Sequence, residues 1–324
     1  MASAVQQPTV SAAASVRLPN FVIAGTEKAG TTSVFDYLSA HPQVCTSSVK
    51  ETDFFRHGYT GERTADARAY SSFFAHCDRN RRIMLEASPG YLGEAVTVAP
   101  RLRVLVPDAK ILFILRDPVE RVYSSYNFHR GKFDLPADMT FDDYLSRCLE
   151  YERRTAEARA SELDEWYLKV LRFGCYSDFI ALFQLQFPAD QMKVMFFEAL
   201  RADVRSFMSE LSLFLGIDAR FWDEFTFHKS NVTFSGRNRA LHQLAMRINA
   251  MAEPVLRRYP NVKRRLVSAY KAVNQEREGY DPMSAQARAR LVEYYARSVR
   301  VLQQQLAAPL PQEWQYIIQT PVRR

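Results

Sequence analysis

Between Gly25 and Ser33 the chain reads Gly-Thr-Glu-Lys-Ala-Gly-Thr-Thr-Ser, and these residue types suit an anion. Gly25 and Gly30 let a ligand approach the backbone, Lys28 adds a full charge, and Thr31, Thr32 and Ser33 bring hydroxyl donors. If a helix starts at Thr31, its free N–H groups add roughly half a positive charge at the same place. The pattern differs from G-x-x-x-x-G-K-[ST], because Lys28 stands two positions before the second glycine. A second group of the same kind is Arg116-Asp117-Pro118, followed by Ser124. An arginine fork binds two oxygens of a phosphate at once. Two such anion sites at the ends of neighbouring strands fit a nucleotide with phosphate-like groups at both its 5′ and 3′ positions.

The elements around these residues follow from hydropathy. Phe21 to Gly25, Ile83 to Leu85, Lys110 to Leu115 and Lys193 to Phe197 are continuously apolar or nearly so, as strands covered on both faces are. Helical spacing is expected over Thr31 to Ala40, Pro118 to Phe128, Phe141 to Leu149, Glu162 to Arg172, Tyr176 to Phe187 and Asp203 to Leu215. The alternation predicts an α/β fold: a P-loop-like central parallel sheet flanked by helices, with ligands outside the C-terminal strand ends. From Arg239 onward no strand pattern remains, and Ala240 to Arg258 and Ser284 to Leu306 read as long amphipathic helices. The organisation expected is a disordered leader over 1–19 and one domain over 20–324. That domain divides into a nucleotide-binding core at 20–235 and a helical, basic C-terminal part at 236–324.

Composition narrows the classes further. The 324 residues are 47% hydrophobic and 24% charged, which excludes collagenous and low-complexity chains. The longest apolar run in the body of the chain, Ile111 to Leu115, is far below the roughly 20 residues of a membrane span. Net charge is +7, yet from Arg237 to the end 16 basic residues face only 6 acidic ones, so the excess is local. No zinc-finger or RNP pattern accompanies it, and no specific nucleic-acid partner is expected. The six histidines, at 41, 57, 76, 129, 228 and 242, show no metal-binding spacing, so no metal is expected. Cys45, Cys77, Cys148 and Cys175 form no CxxC pair and are expected to be reduced thiols. With no secretory pattern in the first 20 residues, the chain is expected to be cytoplasmic.

The segments EKAGTTS and LRDPVERVYSSY resemble the paired nucleotide-binding motifs of sulfotransferases that use 3′-phosphoadenosine 5′-phosphosulfate. The order AHPQV, VKETDFF, EASPGYL, RDPVERVYSSY most resembles the heparan sulfate and related carbohydrate sulfotransferases and their bacterial relatives. The likeness extends over roughly 20–235. It implies that Lys28, Ala29, Gly30, Thr31, Thr32 and Ser33 hold the 5′-phosphosulfate, and that Arg116 and Ser124 hold the 3′-phosphate. Ser235-Gly236-Arg237 is the nearest match to a basic loop, often Lys-Gly-Arg, that covers that phosphate; Arg239 is a weaker candidate. Glu51, in Lys50-Glu51-Thr52-Asp53-Phe54-Phe55, takes the place of the general base, and Lys28 that of the group stabilising the leaving nucleotide.

The same resemblance makes Lys50, Asp53, Glu86 and His129 candidate acceptor contacts. Asp53 stands where some relatives have histidine, and Ala87 where carbohydrate relatives commonly have lysine after the glutamate. The implied reaction is in-line transfer to an acceptor hydroxyl of a glycan, glycolipid or small metabolite, with 3′-phosphoadenosine 5′-phosphosulfate as co-substrate. Two other classes are open to the residues: a P-loop-type nucleotide kinase, and a non-catalytic protein binding an acidic polymer. Oligomeric state is not legible.

Overall fold

Residues in the apolar segments alternate between two sides, and that alternation builds two cores. In β1 (Phe21–Gly25), Val22 and Ala24 join one cluster while Phe21 and Ile23 join another. In β4 (Lys110–Leu115), Ile111, Phe113 and Leu115 point to the first cluster, Leu112 and Ile114 to the second. Both strands are covered on both faces, so continuous hydrophobicity was the right signature. The structure is a computed structural model that describes residues 16–78, 80–136, 138–154, 166–228, 282–306 and 309–321, with single positions at 248, 252 and 266.

The sheet is parallel, in the order β2-β3-β1-β4-β5, where β2 is Val44–Thr46, β3 Ile83–Ala87 and β5 Met192–Phe196. The α/β fold with a helix-flanked parallel sheet expected from the sequence is therefore present. β2 is an addition, too short to show in hydropathy and held in place by pairing with β3. The chain leaves β1 toward β3 and later returns to its other side as β4, so the crevice beyond β1 and β4 is the topological switch point where such sheets bind ligands.

Helices α1 (Thr31–Ala40), α2 (Arg63–Ser71), α3 (Ala95–Leu105), α4 (Pro118–Gly131) and α5 (Phe141–Arg153) precede α6 (Tyr176–Gln184). After β5 come α7 (Phe197–Ala202) and α8 (Val204–Leu215). The helix expected over 162–172 is replaced, where described, by 3₁₀ turns at Trp166–Val170 and Arg172–Gly174. The expected helix over 240–258 lies almost wholly outside the described residues. α9 (Ala285–Gln305) buries Leu291, Tyr295, Val299 and Leu302 in the same cluster as β4 and α6, so the C-terminal part shares the core.

One cysteine expectation is overturned. Cys45 on β2 and Cys77, after the Ser72–Phe74 turn, are joined as a disulfide, while Cys148 and Cys175 are free. The partners lie 32 residues apart and meet only because β2 pairs with β3 and the Ser48 N–H donates to Phe73 O at 2.8 Å. Spacing alone carries no trace of that. Air-oxidised protein denatured without reductant is expected to present two titratable thiols, and four after reduction. Four without reduction would contradict the pairing.

Candidate functional site

The loop between β1 and α1 is shaped by two residues in the left-handed region, Lys28 (φ 66°) and Gly30 (φ 81°). A side chain at Gly30 would strike Leu200, whose Cδ2 would lie 2.7 Å from a Cβ there, so glycine is required for both reasons. Gly30 caps α1 without a side-chain acceptor, leaving the first-turn N–H groups of Thr31, Thr32 and Ser33 facing the loop. Ala29 is fully buried, Thr31 is buried and Ser33 half-buried.

Across the crevice, Arg116 follows β4 directly. Its Nη1 donates to Lys28 O at 2.9 Å, its guanidinium lies 4.8 Å from the Phe197 ring centroid, and its own carbonyl accepts from Tyr176 OH at 2.8 Å. Among the described residues Arg116 makes no ion pair with the adjacent Asp117. Asp117 instead caps α4, accepting from Val119 N and Glu120 N at 2.8 and 3.2 Å, and it accepts from Tyr316 OH at 2.7 Å. Burial pushes its carboxyl up to about 6. Ser124 is half-buried on the second turn of α4.

Lys28 is the most perturbed cation of the site. Burial lowers its ammonium from 10.5 to about 8, with Arg116 and Lys132 adding repulsion and Glu27 and Glu51 opposing it. Its Nζ lies 3.8 Å from the centroid of Phe128, and Lys132 Nζ is 4.1 Å from the same ring. Burial likewise lowers the Arg116 guanidinium. Among the described residues neither Lys28 nor Arg116 makes an ion pair. Two partly desolvated cations held together, with carboxylates near them but none in an ion pair among the described residues, are suited to an anion. Phe128, Lys132 and Phe197 were not singled out in the sequence, because an aromatic inside a helical pattern looks like core.

The C-terminal part reaches this crevice. Arg288 on α9, with Glu313 and Tyr316, closes a cavity of about 280 Å³ of mixed charge, whose other walls are Arg116, Asp117, Glu120, Phe197, Glu198 and Arg201. Arg288 is paired with Glu120 at 2.7 Å. Ser235, Gly236, Arg237 and Arg239 lie outside the described residues.

The third group sits at the end of β3. Glu51 (φ 62°) and Asp53 (φ 48°) are both left-handed, and the surroundings over-determine them. Glu51 N donates to Ala87 O at 2.9 Å, and Asp53 N to Ser88 Oγ at 3.0 Å. Ser88 Oγ and Thr52 Oγ1 in turn donate to Glu86 Oε1 at 2.5 and 3.0 Å. The Glu51 side chain is 54% exposed and accepts from Lys50 Nζ, whose side chain is 17% exposed. Asp53 pairs with Arg56 at 3.3 Å, and Arg56 also pairs with Glu94 at 2.7 Å.

One of the expected acceptor contacts is differently placed. Glu86 is fully buried, so it braces the Glu51 loop from beneath instead of facing an open cleft. Its second oxygen has no hydrogen-bond partner among the described residues, and burial pushes the carboxyl from 4.5 to about 7. His129 contacts Asp134 Oδ2 through Nδ1 at 2.9 Å, and burial lowers its imidazole.

Comparison with known proteins shows the family. A family model described as "Sulfotransferase domain" matches residues 18–236. The membrane-associated sulfotransferase kil1 of Dictyostelium discoideum is 34% identical over 153 residues, which cover 44% of this chain and 32% of that protein. The human bifunctional heparan sulfate N-deacetylase/N-sulfotransferase 3 is 33% identical over 209 residues, 62% of this chain and 22% of that protein. This chain therefore spans well under half the length of either relative. A sulfotransferase from Alicyclobacillus acidocaldarius has the same fold, with a TM-score of 0.64 at 23% identity, covering 93% of this chain and 100% of that one.

A carboxyl raised on folding adds stability below its ordinary value and loses it as pH rises through the folded value. For Glu86 the loss runs from about 4.5 to about 7. Between about pH 5.5 and about pH 8 the unfolding free energy of the parent should fall by about 2 kcal/mol more than that of Glu86→Gln. Urea titration at the two values checks this; equal falls would place the shift elsewhere.

Proposed function

The chain belongs to the sulfotransferase domain family, and from that premise we propose that it transfers a sulfuryl group from 3′-phosphoadenosine 5′-phosphosulfate to a carbohydrate acceptor. The observation that carries the reading is the Arg116 to Lys28 carbonyl contact at 2.9 Å, which holds two half-buried cations at the ends of β1 and β4. The first-turn amides of α1, with Gly30, Thr31, Thr32 and Ser33, bind the 5′-phosphosulfate. Arg116 and Ser124 bind the 3′-phosphate, and Ser235, Gly236 and Arg237 form its cover.

In the transfer step the acceptor oxygen forms a bond to sulfur as the bond from sulfur to the bridging oxygen breaks. Glu51 takes the acceptor proton, which requires its carboxylate to turn away from Lys50. Lys28 meets the charge growing on the bridging oxygen, where a single preorganised donor contributes about 10² to 10³-fold. Lys28 is suited to this because its ammonium, weakened to about 8, is a stronger proton donor than an exposed lysine. Lys50, Asp53 and His129 line the acceptor approach in this reading, with Glu86 holding the loop behind them.

Two acceptor atoms compete. A hydroxyl is the first reading; a glucosamine amine is the second, favoured by similarity to proteins named as heparan sulfate N-sulfotransferases. Either must lose a proton, so Glu51 serves both. No metal enters these steps, and the chain works in the cytoplasm on this proposal wherever the acceptor is a small molecule.

The test is labelled-sulfate transfer to N-acetylated and N-deacetylated glycans, alongside calorimetric binding of 3′-phosphoadenosine 5′-phosphate. Lys28→Ala and Arg116→Ala should each weaken nucleotide binding by at least about tenfold, the loss of one charge-assisted contact. Glu51→Gln should keep nucleotide binding within about twofold while transfer falls about 10² to 10⁴-fold. Full transfer in Glu51→Gln would remove the base, and magnesium-dependent ATP turnover in its place would favour a kinase.

A further inference from the structure

We propose that Cys45, His76 and Cys77, once their disulfide is reduced, form a binding site for a soft metal ion, zinc(II) or copper(I), with two thiolates and one imidazole as ligands. The proposal is independent of sulfuryl transfer. Ligand atoms from these three side chains all lie within 4.8 Å of one another. His76 Nε2 stands 3.7 Å from Cys45 Sγ and 4.0 Å from Cys77 Sγ. A tetrahedral zinc with bonds of about 2.3 Å to sulfur and about 2.0–2.1 Å to nitrogen sets a nitrogen-to-sulfur separation of about 3.6 Å. The imidazole is therefore at metal-ligand spacing from Cys45 Sγ and about 0.4 Å beyond it from Cys77 Sγ. What remains is for the sulfurs to part to about 3.8 Å, the sulfur-to-sulfur edge of the same tetrahedron.

The backbone holds the three residues in place independently of the covalent bond. Cys45 is fixed in the β2–β3 ladder opposite Met84. Cys77 N donates to Phe74 O at 3.0 Å, closing the turn that carries His76. Arg17 Nη1 donates to the carbonyls of Cys77 and Asp78 at 2.7 and 2.9 Å, anchoring the far side of that turn. The cysteines are half-buried and His76 is exposed, so an ion has an entry path and water can complete its coordination. Thiolate pairs with imidazole select zinc and copper(I) over magnesium or calcium.

The chemistry balances with a dithiol reductant. The disulfide bond takes two electrons and two protons, and the dithiol is oxidised to its own disulfide. The metal then displaces the two thiol protons to the medium. Either bridge, covalent or metal, ties β2 to the Ser72–Phe74 turn, and β2 leads directly into the loop of Glu51. A chain in an oxidising compartment holds that loop by a disulfide, and one in a reducing compartment holds it by a metal ion.

The test uses the full chain, reduced with a phosphine, freed of reductant under anaerobic conditions and titrated with cobalt(II), then zinc(II). The expected result is one equivalent of cobalt with a near-ultraviolet thiolate charge-transfer band, displaced by zinc. The oxidised protein should show no band. His76→Ala, a change at an exposed side chain that leaves the fold alone, should weaken affinity by more than about tenfold, the least expected even for an outer-shell partner. Cys45→Ser/Cys77→Ser should lose the band although it retains Cys148 and Cys175. A reduced protein without the band, a band that survives the double substitution, or unchanged affinity in His76→Ala would each overturn the proposal.

Discussion

The structure turns on the hydrogen bond from Arg116 to the carbonyl of Lys28. It joins the ends of β1 and β4 across the switch point of the sheet and keeps two half-buried cations side by side. Burying like charges side by side is unfavourable by itself. Sheet pairing, the rings of Phe128 and Phe197, and the left-handed backbone at Lys28 hold them there. The fold thus sets two cations beside one another with neither in an ion pair among the described residues, although Glu27 and Glu51 act favourably on Lys28 and Glu120, Glu198 and Asp117 on Arg116.

The base loop is built on the opposite principle. Glu51 is exposed and, among the described residues, ion-paired with its neighbour Lys50, whereas the backbone beneath it is held by Ala87, Ser88 and the buried Glu86. An exposed carboxylate on a braced backbone suits a group that must meet an acceptor and take its proton. The disulfide between Cys45 and Cys77 steadies the same loop from its other end.

Much of this was legible in the sequence because it depends on local order. A strand, a glycine-bearing loop with lysine, and a helix are read from consecutive residues, as are Arg116 at a strand end and the apolar runs of β1 and β4. What could not be read depends on residues distant in sequence. The ring of Phe128 under Lys28, the closure of the Arg116 cavity by Arg288 and Tyr316, and the meeting of Cys45 with Cys77 are all products of packing. Glu86 was noticed for its type, but its burial, and so its role as a brace, follows from its position on a strand covered on both faces. His76 has no second histidine at metal-binding spacing, and its neighbour Cys77 meets Cys45 only through the fold.

The central claim, that Lys28 and Arg116 form a half-buried cationic pair completed by a 3′-phosphorylated nucleotide, is tested most directly by proton uptake on binding. Calorimetric titration of 3′-phosphoadenosine 5′-phosphate near pH 8, in buffers of different ionisation enthalpy, measures it. Lys28, lowered to about 8 when empty, should be raised by the bound anion. The account predicts uptake of about half a proton per nucleotide, absent in Lys28→Met, with binding lost in Arg116→Ala. Tight binding with no proton uptake, or uptake unchanged in Lys28→Met, would contradict it.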